Sequence, residues 1–350
     1  MAPVVKELQR RPQVFEVRVC VTGQHREMLD QVLDLFDIQP DFDLHVMRPD
    51  QDLYDVSSSV LVGMREIIAR VKPDVMLVHG DTTTSTFAAL AAFYQKVAVG
   101  HVEAGLRTDN IYSPWPEEMN RRLNSQLCTW HFAPTETARH NLLREGIPDK
   151  HICVTGNTVI DALQWVASSG RATAPDYGAV GKRMVLITGH RRENFGDGMR
   201  HICEAINQLA EKFSDVDFVY PVHLNPNIRK AVNTAIDNSR PNIHLLEPQP
   251  YLPFVGLMRQ CTLVLTDSGG LQEEAPAFGK PVLVMRDTTE RPEAIEAGTA
   301  RLVGTDRQTI EEAVSNLLTN PDHYHNMAHA VNPFGDGHAA ERIADFLTKE

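Results

Sequence analysis

Cysteine is scarce. Five residues (Cys20, Cys128, Cys153, Cys203, Cys261) lie far apart in 350, never paired as CxxC, so they read as reduced core thiols of a cytosolic protein. Basic charge is in deficit as well: 34 Lys+Arg against 46 Asp+Glu gives −12, the opposite of the basic face that nucleic-acid binding demands. An anionic small ligand is still compatible with that balance, because local donors hold such ligands. No apolar run approaches the roughly 18 residues of a membrane-crossing helix; residues 87–94 (FAALAAFY) are about the most hydrophobic stretch. Met1 is followed by Ala-Pro-Val-Val without a basic region and long apolar core, so no secretory signal is read. No GxGxxG follows a strand-like run, which removes the nicotinamide fingerprint. Gly181-Lys182 lacks the upstream glycine and following Ser/Thr of a P-loop. His323, His325, His329 and His338 come without HExxH or paired-cysteine spacing, so they read as solvated helix-end residues and no metal site is expected.

What is present is a repeating alternation. At about 150 residues per domain the length suggests two domains, and 42% hydrophobic with 23% charged residues is ordinary globular usage. Short β-branched runs at 17–22, 75–79, 97–102, 129–133 and 152–155 are each followed by a polar or glycine-rich turn and an amphipathic stretch. After a turn-rich interval at 168–181 the pattern restarts at 184–188, 218–222, 243–246, 263–266 and 282–285. Uninterrupted apolar strands alternating with helices predict parallel sheets covered on both faces. The fold class expected is therefore α/β, two Rossmann-like domains over residues 1–168 and 182–332, with a last helix at 338–350 crossing back onto the first. Ligands of such sheets sit beyond the carboxyl ends of the strands, and the cleft between two sheets is the default site. The helix-like start at 2–9 is unusual for an α/β domain; either a leading strand is missing from the sequence or the chain opens on a genuine helix.

Four strand-end loops gather polar residues. In His79-Gly80-Asp81-Thr82-Thr83-Thr84, Asp81 offers a carboxylate to the cleft, unless Asp81 or Thr82 merely caps the next helix. Glu103 follows the VAVGHV run, and Glu117 and Glu118 follow Pro116 at a helix start, where the dipole alone would favour them. Asp81, Glu103 and Glu117 together resemble an acid/base constellation, since repulsion and burial spread the pKa values of clustered carboxylates. His190-Arg191-Arg192 at the end of VLIT suits an anionic leaving group, the alternative being a surface Arg-Glu network. In Thr266-Asp267-Ser268-Gly269-Gly270, glycines let phosphate oxygens approach backbone N–H groups, and Glu274 could accept ribose hydroxyls; a plain tight turn is the alternative.

Taken together, VHGDTTT (78–84), GHVEAGLRT (100–108), SPWPEEMNR (113–121), TGNTVIDAL (155–163), TGHRRENFG (188–196), YPVHLNPN (220–227), TDSGGLQEEAPAFGKPVLVMRDTTERPEA (266–294) and VGTD (303–306) closely resemble the bacterial non-hydrolysing UDP-N-acetylglucosamine 2-epimerases. The resemblance covers nearly the whole chain in order. It implies a GT-B-like fold, a cytoplasmic homodimer, no cofactor, and reversible conversion of UDP-N-acetylglucosamine to UDP-N-acetylmannosamine for surface polysaccharide synthesis. Matched residue by residue, it implies catalytic roles for Asp81, Glu103, Glu117 and His190, and substrate or UDP contacts for Gln249, Phe254, Ser268, Gly269, Gly270, Glu274 and Arg291. Gln24, Arg191 and His223 fit an activator site used by some members, where Glu27 and Asp50 here replace a Gln and an Arg. Members of the family open with a strand and a GTRPE-type loop, and this sequence begins just after that point. A GT-B glycosyltransferase, a hydrolysing 2-epimerase and an inactive nucleotide-sugar-binding homologue are the rival readings.

Overall fold

A computed structural model of the chain describes residues 1–24, 26–48, 50–179, 183–191 and 194–350, with the backbone alone for Glu27 and Met28. The Glu27 side chain, Gly181, Lys182, Arg192 and Glu193 therefore lie outside the described residues. The chain divides into two compact units, Met1–Ala162 with Phe334–Glu350, and Leu163–Pro333.

In the first unit the apolar runs become strands β1 (Cys20–Val21), β2 (Phe42–Asp43), β3 (Val75–His79), β4 (Ala98–Val102), β5 (Trp130–Ala133) and β6 (Ile152–Val154). β3 to β6 form one parallel sheet in chain order, and β1 pairs with β2 in parallel. Gly100 in β4 is set by packing: a Cβ there would lie 2.6 Å from Leu77 Cδ2 and 3.0 Å from Phe132 Cε2. Val78 and Val99 pack under Ala88 and Ala89 of the helix Thr83–Tyr94 and under Val56, Val60, Met64 and Ile68 of the helix Leu53–Val71. Each large side chain so buried stabilises by about 1.5–3 kcal/mol.

The strand expected over 17–22 shrinks to the two residues of β1. Its neighbour takes over the ladder with a side chain: Val19 N–H donates to Asp41 Oδ2 at 2.7 Å, while Val19 C=O accepts from both Asp41 and Phe42. Residues 2–9 form a helix, Ala2–Gln9, whose Val4 and Leu8 pack with Ile343 and Ala344 of the last helix, Ala339–Leu347. That last helix is seated in the first unit by Asp161, whose buried carboxylate accepts the N–H groups of Ala339 (3.2 Å) and Ala340 (2.7 Å).

The second unit holds β7 (Arg183–Thr188), β8 (Val216–Pro221), β9 (Ile243–Leu246), β10 (Leu263–Thr266), β11 (Val282–Val284) and β12 (Ala300–Leu302) in one six-stranded parallel sheet, ordered β12-β11-β10-β7-β8-β9. The chain winds outward from β7 to β9, returns, and winds outward again from β10 to β12. The strand order reverses between β7 and β10, so a crevice opens beyond their carboxyl ends. The interval expected to separate the domains is instead packed on this unit. A Cβ on Gly256 would lie 2.3 Å from Ala174 N, Arg259 donates to Ala167 C=O, and the Tyr177 ring rests against His244. With two parallel α/β units of this kind the architecture is GT-B-like. Among the described residues no helix is long and apolar enough to cross a membrane.

Candidate active site

In the first unit the site grows from the register of two neighbouring strands. His79 pairs with Val102, and Gly80 N–H donates to Val102 C=O at 2.9 Å, so Gly80-Asp81 and Glu103 leave the sheet side by side. Gly80 needs its missing side chain: its φ is +67° and a Cβ would lie 3.2 Å from Glu103 Oε2. Glu103 itself has a left-handed φ of +65°, a conformation that costs a non-glycine residue on the order of 1–2 kcal/mol. Backbone strain of this kind persists only where the surrounding structure holds it in place. His79 Nε2 lies 3.6 Å from Glu103 Oε2, and burial lowers its imidazole pKa well below the ordinary range, so the ring is neutral at pH 7.

Asp81 is no helix cap. Thr82 takes that part, its hydroxyl accepting Ser85 N–H at 3.2 Å. The Asp81 carboxylate turns to Arg121, whose Nε (2.9 Å) and Nη2 (2.7 Å) both contact Oδ2. Its main chain is held too: Asn120 Nδ2 donates to Asp81 C=O at 2.8 Å, and Gly80 C=O accepts from Asn124 Nδ2 (3.2 Å) and lies 2.8 Å from His101 Nε2. His101 is fully buried, and burial lowers its pKa to about 4. Asn120, Arg121 and Asn124 share one face of the helix Glu117–Leu127. Glu117 belongs to that face one turn earlier, half-buried and with no side-chain partner among the described residues. Glu118 is different: fully buried, it accepts Thr108 N–H at 3.0 Å and pairs with Arg121 and Arg122 at 3.2 Å, which makes it a structural carboxylate. Gln24, also in this unit, accepts from Thr84 Oγ1 at 2.7 Å.

In the second unit the polar groups collect at the reversal between β7 and β10. Asp267, just past β10, is fully buried and accepts the N–H groups of His190 (2.9 Å) and Arg191 (2.9 Å) and Asn194 Nδ2 (3.2 Å); His190 Nδ1 lies 3.0 Å away. The His190 ring stacks on His223, centroids 5.8 Å apart, and Arg191 lies 3.8 Å from Glu290. Beside them, Ser268 makes no side-chain capping bond. A Cβ on Gly269 or Gly270 would approach nothing closer than 3.6 Å, so the turn is open on that side. Glu274 follows in the same short helix, its carboxyl pushed up to about 7 by burial and by neighbouring Glu273. Arg291 is engaged by Glu273, and Gln249 donates to Glu247 C=O at 2.7 Å. Phe254 is half-buried on the helix Tyr251–Gln260.

The first unit thus brings Asp81, Glu103 and the Glu117 face to one turn, and the second brings His190, Arg191, His223 and Ser268–Gly270 to the end of its sheet. The sequence reading had not singled out Arg121, Asn120 or Asp267. Helical spacing from Glu117 would have exposed the first two; Asp267 was visible inside the TDSGG run. The histidines at 323, 325 and 329 gather near the helix Pro321–Ala328, where His325 and His329 stack at 3.9 Å. Among the described residues no group of three His, Cys, Asp or Glu is placed to hold a metal ion.

Comparison with known proteins agrees with this picture. The family model described as UDP-N-acetylglucosamine 2-epimerase matches residues 6–348. A UDP-N-acetylglucosamine 2-epimerase of Escherichia coli O157:H7 is 56% identical over 356 residues, spanning 99% of this chain and 94% of that protein. The crystal structure of the Neisseria meningitidis UDP-GlcNAc 2-epimerase bound to UDP-GlcNAc superposes with a TM-score of 0.86 at 51% identity, covering 100% of this chain and 96% of that one. That of the Methanocaldococcus jannaschii UDP-GlcNAc 2-epimerase gives 0.84 at 31% identity, with 100% and 96% coverage. The chain belongs to the UDP-N-acetylglucosamine 2-epimerase family.

Proposed function

We propose that the protein interconverts UDP-N-acetylglucosamine and UDP-N-acetylmannosamine without hydrolysing them, as a cytoplasmic homodimer needing no nicotinamide or metal, and so supplies N-acetylmannosamine units for surface polysaccharide. The observation that carries this reading is the meeting of Asp81, Glu103 and the Glu117 helix face at one turn of the first unit.

The chemistry asks for such a set. The C2–H bond of the hexose has no adjacent carbonyl to acidify it, so C1 must become cation-like first. As UDP leaves with the C1–O electron pair, a carboxylate takes the C2 proton and the C–H pair becomes the C1=C2 bond of 2-acetamidoglucal. A proton delivered to the other face of C2 and attack of UDP oxygen on C1 then give the manno epimer. Acid and base must therefore flank C2, the work proposed for Asp81, Glu103 and Glu117. The Arg121 fork engages only Oδ2 of Asp81 and leaves Oδ1 for the substrate. Ser268, Gly269, Gly270, His190 and Arg291 are proposed to grip the diphosphate, Glu274 the ribose, and Gln249 and Phe254 the nucleotide. Gln24, Arg191 and His223 are proposed to take a second UDP-N-acetylglucosamine as activator.

Proton NMR of the anomeric signals tests this. With UDP-N-acetylglucosamine alone, the protein should build up UDP-N-acetylmannosamine to an equilibrium mixture. Free N-acetylmannosamine plus UDP would identify a hydrolysing enzyme, and an unchanged spectrum would point to a transferase lacking its acceptor or to a binding protein.

A further inference from the structure

We propose that Asp267 is a positioning residue for His190: it fixes the imidazole as its Nδ1–H tautomer and leaves Nε2 as the only ring atom that can serve the substrate. This rests on the reading above that His190 acts on the departing diphosphate.

The parallel register of β7 with β10 pairs Thr188 with Thr266, so the residues just past each strand face one another. Gly189 provides a turn without a side chain, since a Cβ there would lie 2.9 Å from the Tyr220 hydroxyl. Asp267 then receives the main-chain N–H groups of His190 and Arg191, the Asn194 amide and, at 3.0 Å, His190 Nδ1. A carboxylate with no proton of its own offers only lone pairs. An unprotonated Nδ1 would set lone pair against lone pair at that distance, so Nδ1 carries the proton whether the ring is neutral or charged. Burial alone would raise the Asp267 pKa; the bonds from His190 and Arg191 outweigh it and hold the group below the ordinary carboxylate range. Nε2 of His190 has no partner among the described residues, and the ring is substantially exposed.

His223 supplies the contrast. Its Nδ1 accepts Asn225 N–H at 3.1 Å, so its neutral ring carries the proton on Nε2. Two imidazoles stacked at 5.8 Å and 28° therefore hold opposite neutral tautomers. A second proton taken by His190 can only go to Nε2, where it forms a charged donor for a phosphate oxygen, and the resulting imidazolium is stabilised by Asp267 from behind.

The tautomers are directly measurable on the full chain with isotope-labelled histidine, the two rings being assigned by the single substitutions His190→Gln and His223→Gln. With both rings neutral, ring nitrogen NMR should show Nδ1–H for His190 and Nε2–H for His223. An Nε2–H neutral His190 overturns the inference, and this reading on the unsubstituted protein stands whether or not any Asp267 variant folds. Asp267→Asn should move His190 toward Nε2–H, lower kcat on the order of 10²-fold or more and displace the pH–rate profile. An unchanged profile and rate in that variant would also overturn it. The Nδ1–H signature in a protein whose His190→Gln variant turns over normally would uphold the positioning and sink the role given to His190.

Discussion

The two units build their polar sites by different means. The first has a sheet whose four strands, β3 to β6, run in chain order with no reversal among them. Its carboxylates come from the ends of two successive strands and from a helix whose inner face grips the turn between them. The second has a sheet that reverses between β7 and β10, and its site is the crevice which that reversal creates. There one buried carboxylate, Asp267, organises the loop that follows the neighbouring strand β7. The first unit spends strain and packing to hold acids in place; the second leaves glycines open for a ligand to approach. A site for moving protons demands fixed side chains, whereas a site for an anion needs accessible backbone donors.

The largest effect should separate the units by function. Asp81→Asn, Glu103→Gln and Glu117→Gln should each lower kcat by roughly 10²–10⁴-fold while UDP affinity, measured by calorimetry, stays within about threefold. Wild-type turnover in all three would end the assignment of chemistry to the first unit.

Glycine substitutions sharpen the same contrast through stability. At Gly105, φ is +89° and a Cβ would lie 2.3 Å from Ala138 C=O. Gly105→Ala should therefore cost about 3 kcal/mol or more in denaturant unfolding, overpacking adding to the left-handed backbone. Gly270→Ala has room, so its unfolding midpoint should hardly move while UDP binding weakens. Equal destabilisation by both would erase the distinction between a packed and an open turn.

A smaller effect concerns pH. With the Glu274 carboxyl near 7, acceptance of ribose hydroxyls by its ionised form should make uridine affinity fall as pH drops below about 7. Uridine, lacking phosphate, keeps the ligand's own phosphate titration out of the result, and Glu274→Gln should flatten the dependence. The linkage to folding has the opposite sense: a folded pKa raised above the usual 4.5 means that stability falls as pH rises from about 4.5 to 7, and the Gln variant should lose that slope. A flat wild-type curve would remove Glu274 from the nucleotide site.

Much of this is legible in the amino-acid sequence. Residues 75–79 and 263–266 announce buried parallel strands because nothing polar interrupts them, and the loops after them could be read as site loops since strand ends are where α/β sheets bind. The three-carboxylate set was visible as residue types. What escaped the sequence depended on phase and partner. Asp81 and Thr82 were equal candidates for the cap until the structure gave the cap to Thr82 and Asp81 to Arg121. Glu117 and Glu118 look alike as neighbours, yet 100° of helical rotation puts one on the face of Asn120 and Asn124 and buries the other between two arginines. The strand at 17–22 was legible but its shortening to Cys20–Val21 was not, because it depends on the Asp41 side chain accepting Val19 N–H in place of a ladder bond.

In the proposed reaction a carboxylate of the first unit removes the C2 proton while UDP departs. When the conversion of UDP-N-acetylglucosamine is run in D₂O, proton NMR of the UDP-N-acetylmannosamine should show deuterium at C2, and product that keeps its original hydrogen there would contradict proton removal.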